Sequence, residues 1–154
     1  INTLLTNKIV LEALNQKKIK ELKKFDDIKT EKKFSKNTRF DFLLTNKKEK
    51  CFLEVKNVTL KKNDNIAEFP DAITIRGTKH LYELCNALKK GFQCYILYLI
   101  QREDCKYFKI AEEIDKKYKT AFVYALKKGV KVLCYDCKIT NEGIKVNNQI
   151  SYEK

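Results

Sequence analysis

The chain has 154 residues, 44% of them hydrophobic, with nine Phe, eight Tyr, four Gly and one Pro, a composition that supports one packed core and excludes a disordered segment. Its longest strongly apolar run, Cys94 to Ile100, is seven residues, against roughly 20 for a membrane-spanning helix; Ile1 to Leu14 is broken by Asn2, Asn7, Lys8 and Glu12 and carries no small-residue cleavage site, so it does not read as a secretory signal. A net charge of +13 points to polyanions, nucleic acid first and anionic membrane surface second, although a coding bias toward lysine gives the same surplus.

Because the other 30 cations are Lys, the three arginines, Arg39, Arg76 and Arg102, mark places where a planar, bidentate fork for phosphate or carboxylate is wanted. The six cysteines are expected as reduced thiols of a cytoplasmic protein. Cys134-x-x-Cys137 has no second pair at ligand spacing, and alternation along a strand sends the two thiols to opposite faces. There is no methionine, so Ile1 reads as an internal position of a longer polypeptide.

In chain order, residues 6–24 are expected as a helix, with Thr6 or Asn7 as cap and Val10, Ala13 and Leu14 as the buried stripe. The period then changes to two. Phe25 to Phe34, Thr38 to Leu44 and Cys51 to Val58 read as three antiparallel strands, the last two a hairpin closed by a polar loop from Thr45 to Lys50. Lys61 to Asn65 reads as a loop, and Phe69-Pro70-Asp71 as an extended entry to the next element. Leu81, Leu84, Cys85 and Leu88 have helical spacing that stops at Lys89-Lys90-Gly91. Phe92 to Gln101 follows as a strand buried on both faces. The grammar repeats with Tyr118, Ala121, Phe122, Ala125 and Leu126, the stop Lys127-Lys128-Gly129 and a strand from Val130 to Lys138, which favours a parallel crossover. Asn141-Glu142-Gly143 marks a last turn before a short strand. The expected architecture is one α/β domain over residues 1–154, with residues 1–24 as helix and connector and 25–154 as a mixed central sheet flanked by helices.

If the hairpin closes about Lys47 and Lys48, Leu44 meets Cys51, Phe42 meets Leu53, Asp41 meets Glu54 and Arg39 meets Lys56. Phe40, Phe42, Leu44, Cys51, Leu53 and Val55 then form one apolar face, and Arg39, Asp41, Glu54 and Lys56 the opposite one. Two carboxylates held that close repel unless one takes a proton or a divalent cation intervenes. A Mg²⁺ or Mn²⁺ ion gripped by Asp41 and Glu54, with Lys56 beside it, would suit attack of water on a phosphodiester. The same four residues also suit a solvated face of salt bridges, Arg39 with Glu54 or Asp41 with Lys56. Glu-x-Lys alone carries little weight, since it occurs three times, at Glu21, Glu31 and Glu54.

Thr38-Arg39-Phe40-Asp41-Phe42-Leu43-Leu44, then Cys51 through Leu60 with Glu54-Val55-Lys56-Asn57, then Phe69-Pro70-Asp71-Ala72 through Arg76-Gly77-x-Lys79-His80-Leu81 resemble the sugar fermentation stimulation protein family. Asn2-Thr3 through Ala13 and Ile100-Gln101-Arg102 fit it too. The resemblance implies a PD-(D/E)xK nuclease-like fold, metal ligation by Asp41 and Glu54 and a catalytic-type Lys56. It also offers Glu12 as a further acid on the first helix, where an exposed helix acid is the alternative. It implies an N-terminal OB-like domain that this sequence does not include, and a DNA-binding protein connected with regulation of sugar, notably maltose, utilisation. Double-stranded DNA is then the expected partner, contacted by Arg39, Asn57, Arg76, Lys79, Gln101 and Arg102, with no membrane involved. A working metal-dependent endonuclease on DNA or RNA and a non-catalytic basic domain are the alternatives. Arg76 and His80, spaced i, i+4, can both face the charged side of the hairpin; His80 equally suits packing or capping, and Gly77 a close helix contact.

Overall fold

The structure, a computed structural model, describes residues 3–154; Asn2, one of the residues carrying the resemblance, lies outside them. Helix α1 spans Thr3–Asn15 and ends well short of residue 24. Lys17 takes a left-handed backbone (φ 58°), and the Lys18 N–H reaches back to the Ala13 carbonyl, which closes the helix end as a glycine would. Ile19, Leu22 and Phe25 then turn inward and are buried. Starting at Thr3 also moves Thr6 and Asn7 from the cap into the helix body.

Strands β1 (Asp27–Ser35), β2 (Thr38–Thr45) and β3 (Lys50–Val58) are antiparallel neighbours. Asn46 closes the β2–β3 hairpin: its Oδ1 accepts from the Lys48 and Glu49 N–H groups, a side-chain-built turn that needs no glycine. The ladder keeps the expected register at Leu44–Cys51 and Phe42–Leu53. Past Phe42–Leu53 no further pair forms, so Asp41 with Glu54 and Arg39 with Lys56 are not ladder partners.

The expected single apolar face is also interrupted. Phe42, Leu44, Cys51, Leu53 and Val55 pack with α1. Phe40 joins Phe52 and Phe34 on the other face, its ring 4.9 Å from that of Phe52. Glu31, on β1 between the pairs Thr30–Phe42 and Lys32–Phe40, has φ 51°, and a left-handed residue in a strand adds the local twist that turns Phe40 over.

After α2 (Ile75–Lys89) and β6 (Gln93–Ile100), α3 (Lys116–Lys128) leads to β8 (Lys131–Thr140) and β9 (Gly143–Gln149). The main sheet runs β1-β2-β3-β6-β8-β9, with β6 parallel to both β3 and β8, so the architecture is mixed α/β. Both crossovers step the same way across the sheet, and α2 and α3 share one face while α1 covers the other. Strand β6 is buried on both sides, with Cys94, Ile96, Tyr98 and Ile100 toward α2 and α3 and Tyr95, Leu97 and Leu99 toward α1. Cys134 and Cys137 fall on opposite faces as alternation requires, and all six cysteines are free and buried.

A second, four-stranded sheet was not anticipated. Its order is β10 (Ser151–Tyr152), β7 (Tyr107–Ile110), β5 (Ile66–Phe69) and β4 (Leu60–Asn63). Its β4–β5 hairpin occupies the segment expected as a loop, because an exposed edge strand of Lys and Asn gives no hydrophobic period to read. Among the described residues no helix is long and apolar enough to cross a membrane.

The two crossover helices are tied at their N-termini. Asp115 accepts from the Thr74 N–H through Oδ2 and from the Tyr118 N–H through Oδ1, and Thr74 in turn accepts from Gly77. A Cβ on Gly77 would lie 2.9 Å from the Thr74 side chain and 3.2 Å from the Tyr118 ring. Gly77→Ala is therefore expected to cost about 1–3 kcal/mol through overpacking. Thermal denaturation checks it, and an unchanged Tm would mean that α2 and α3 part freely.

Candidate metal and phosphate site

Where the β2–β3 ladder stops, side chains take over its hydrogen bonds. The Val55 N–H donates to Asp41 Oδ2 at 2.8 Å, and the Asp41 N–H donates to Glu54 Oε1 at 3.3 Å. Each acid is thus fixed by the backbone of the other's strand. They share a cleft of about 290 Å³ with Lys56, Asn57, Asn7, Arg76 and His80. The cross-strand salt bridges Arg39–Glu54 and Asp41–Lys56 do not form; Arg39 is exposed and lines the two clefts alongside.

Glu54 is 4% exposed and ion-paired. Lys56 Nζ stands 3.2 Å from its Oε2, and His80 Nδ1 2.8 Å from the same oxygen. Lys56 Nζ and His80 Nδ1 are themselves 2.9 Å apart, so Nδ1 either donates to Glu54 or accepts from Lys56, according to its tautomer. Burial alone would raise the Glu54 carboxyl, but the His80 hydrogen bond and the Lys56 charge outweigh it and hold the group below its ordinary value. Asp41 goes the other way: burial first and the Glu54 charge second push its carboxyl up to about 7. Among the described residues no basic side chain pairs with Asp41; its Oδ1 accepts from Asn7 Nδ2 at 2.9 Å. Two neighbouring acids driven apart in this way are the usual mark of a site built to handle charge.

The other expected site residues divide. Asn57, Arg76 and His80 line the acid cleft, and Lys79 lies in the adjoining one. Gln101 ties Asn57 Oδ1 to Thr6 Oγ1 and so anchors α1 over the end of β3. Arg102 lines neither cleft: its guanidinium makes two 2.8 Å bonds to Asp104 and reaches the Thr59 carbonyl. Glu12 takes the alternative open to it, an exposed helix acid outside the cleft, because five residues at 100° each set it about 140° around α1 from Asn7.

Two contributors had another assignment, or an open one, in the sequence. Asn7 was a candidate cap, yet it lies in line with Val10 and Leu14, and a polar residue on a buried stripe is the signal that it meets another polar group. His80, whose sequence position suits either packing and capping or the charged side of the hairpin, stands one turn from Arg76 and meets Glu54. Gly77 has the packing role expected of it.

The donor set suits a hard divalent cation. Two carboxylates present oxygen ligands that favour Mg²⁺ or Mn²⁺ over softer metals; Asp41 Oδ1, Asp41 Oδ2 and Glu54 Oε1 each retain a lone pair beyond the present bond, whereas Glu54 Oε2 already faces both Lys56 and His80. No group of three or more His, Cys, Asp or Glu among the described residues converges to complete a cage, so water or phosphate oxygens would supply the remaining ligands, as Mg²⁺ sites usually require. In the folded chain Asp41 keeps a proton that the unfolded chain releases near 4. The metal-free protein therefore loses stability as pH rises from about 4 through about 7. Asp41→Asn, with the Asn7 amide turned to match, should raise Tm at pH 8 by a few degrees, at about 2–4 °C per kcal/mol for a chain of this size, and by less at pH 5. An equal change at both values would remove the charge-repulsion account.

The model of the sugar fermentation stimulation protein RE domain matches residues 4–143. The sugar fermentation stimulation protein homolog of Pelagibacter ubique is 48% identical over 150 residues, 97% of this chain and 65% of that protein. The homolog from Paramagnetospirillum magneticum is 44% identical over 145 residues, 94% of this chain and 61% of that protein, so the chain spans less than two thirds of the length of these relatives. The solved structure of Pyrococcus furiosus SfsA in complex with Ca²⁺ superposes with a TM-score of 0.91 over 100% of this chain and 66% of that one. At 24% identity it establishes the shared fold. The chain belongs to the sugar fermentation stimulation protein family.

Proposed function

We propose that this chain is the nucleic-acid-engaging domain of a DNA-binding protein, with a divalent-metal site of PD-(D/E)xK nuclease type formed by Asp41, Glu54 and Lys56. The observation that carries the reading is the pair of acids sharing one cleft while, among the described residues, no cation stands against Asp41 and its carboxyl is pushed up to about 7. A Mg²⁺ or Mn²⁺ ion bound there would supply Lewis-acid stabilisation of a phosphoryl oxygen and a more acidic water. The chain's own residues do the rest. Lys56 and His80 hold the Glu54 carboxylate in its ionised form, Asn7 and the Val55 N–H orient Asp41, and Arg76 at the cleft offers a fork to a phosphate. The fold relative from Pyrococcus furiosus is described as a complex with Ca²⁺, another hard, oxygen-seeking dication. The net charge of +13 supports salt-dependent affinity for double-stranded DNA. A cytoplasmic protein acting in the regulation of sugar, notably maltose, utilisation is the physiological setting implied by the family.

A second reading, hydrolysis of DNA or RNA by in-line attack of water, is favoured by Lys56. Its ammonium lies 3.2 Å from the Glu54 carboxylate, within reach of a water or phosphate oxygen in the same cleft. Titration with Mg²⁺ or Mn²⁺ should raise the Tm of the wild type by an amount equivalent to about 2.7 kcal/mol at a hundredfold excess over Kd, and Asp41→Asn and Glu54→Gln should abolish the rise. Cleavage with Mn²⁺ that disappears in Glu54→Ala and Lys56→Ala identifies the hydrolase. Binding of duplex without cleavage in any form leaves the DNA-binding reading, while a flat response to salt and metal would end both.

A further inference from the structure

Beside the acid cleft lies a larger one of about 440 Å³, with Lys33, Lys36, Arg39, Arg76 and Lys79 around it and no acidic residue in its lining. Arg76 and His80 line both clefts, so the two adjoin. Lys61 and Arg102 pair with Asp104, Lys62 with Glu113 and Lys24 with Glu49, while most other surface lysines are unpaired but scattered; here five cations converge on one concavity. Among the described residues, Lys33, Lys36, Arg39 and Arg76 make no ion pair, and Lys79 spends one bond on the Asn37 carbonyl. Two of the chain's three arginines stand at this place.

The walls are also fixed in position. The β1–β2 turn is fastened to α2 by Ser35 Oγ donating to Glu83 at 3.0 Å and by Lys79 Nζ donating to Asn37 O at 2.9 Å. Five like charges gathered into one concavity repel one another unless an anion joins them, and a guanidinium fork matches phosphate in two bonds at once.

We infer that this pocket is a second phosphate subsite, seating the phosphate of the nucleotide next to the one that faces Asp41 and Glu54. The inference rests on the nucleic-acid reading of the acid cleft and gives it a direction: the strand passes from the acids across Arg76 to the β1–β2 turn. The phosphate can be an internal linkage or the end of a strand.

The test is binding of short oligonucleotides, measured by fluorescence anisotropy over a range of salt, with the whole chain and its variant Lys33→Ala/Lys36→Ala. One set carries a terminal phosphate or a bare hydroxyl; the other has a single internal linkage replaced by neutral methylphosphonate, position by position. The double variant should bind about tenfold more weakly and lower the salt slope by about one. One phosphate removal, terminal or internal, should cost the wild type a similar factor and the double variant nothing more; which removal does so identifies the source. Lys47→Ala/Lys48→Ala, at the opposite end of the hairpin, should show no such coupling to any single phosphate. The inference is overturned if the double variant behaves like that control, or if every phosphate removal costs both proteins equally. Asp41→Asn should keep the coupling, so loss of the metal response in that variant alone bears on the acid cleft and not on this pocket.

Discussion

The buried carboxylate of Glu54 is the point on which the rest of the site depends. It is taken out of water on a central strand, at a cost that only close partners can offset. Lys56 from the same strand and His80 from α2 supply charge and hydrogen bonding, and the Asp41 N–H supplies a further donor from β2. Three elements are thereby held at fixed distances around one group. The geometry of the cleft follows from satisfying that group.

The same requirement explains why the β2–β3 ladder stops where it does. Continued pairing past Phe42–Leu53 would occupy the Val55 N–H and leave Asp41 as an ordinary strand side chain. Instead the Asp41 carboxylate accepts from Val55, the strands part, and Phe40 turns to the opposite core. The break in regular structure and the chemical site are one feature, with the left-handed Glu31 on the neighbouring strand accommodating the twist. Local departures of this kind collect where side-chain chemistry displaces backbone pairing.

Charge is organised on the same plan. Acids gather in the narrow cleft, unpaired cations in the wider one, and Arg76 stands between them. An exposed surplus of lysine spread over a whole surface attracts polyanions without orienting them. On the proposed reading, the cations gathered in one concavity beside an acid pair would give a polyanion a register.

Much of this was legible in the residues. Periods of two and 3.6, the Lys-Lys-Gly helix stops and the doubly apolar Cys94–Ile100 run define the mixed sheet and its crossover helices, because burial dictates where apolar side chains recur. The hairpin register followed from the same logic as far as Phe42–Leu53; beyond it Asp41 and Glu54 meet through side-chain bonds to each other's strands and not as ladder partners. Tertiary structure decided what pattern cannot encode. Lys17 ended α1 early in a conformation usually left to glycine, and the polar strand β4 formed as an edge without any hydrophobic period. Asn7 and His80 reached the acids, while Glu12 and Arg102 turned elsewhere. Periodicity assigns a side chain to a face, but its partner is set by which other elements pack there and which polar groups they leave unsatisfied, and that is known only once the chain has folded.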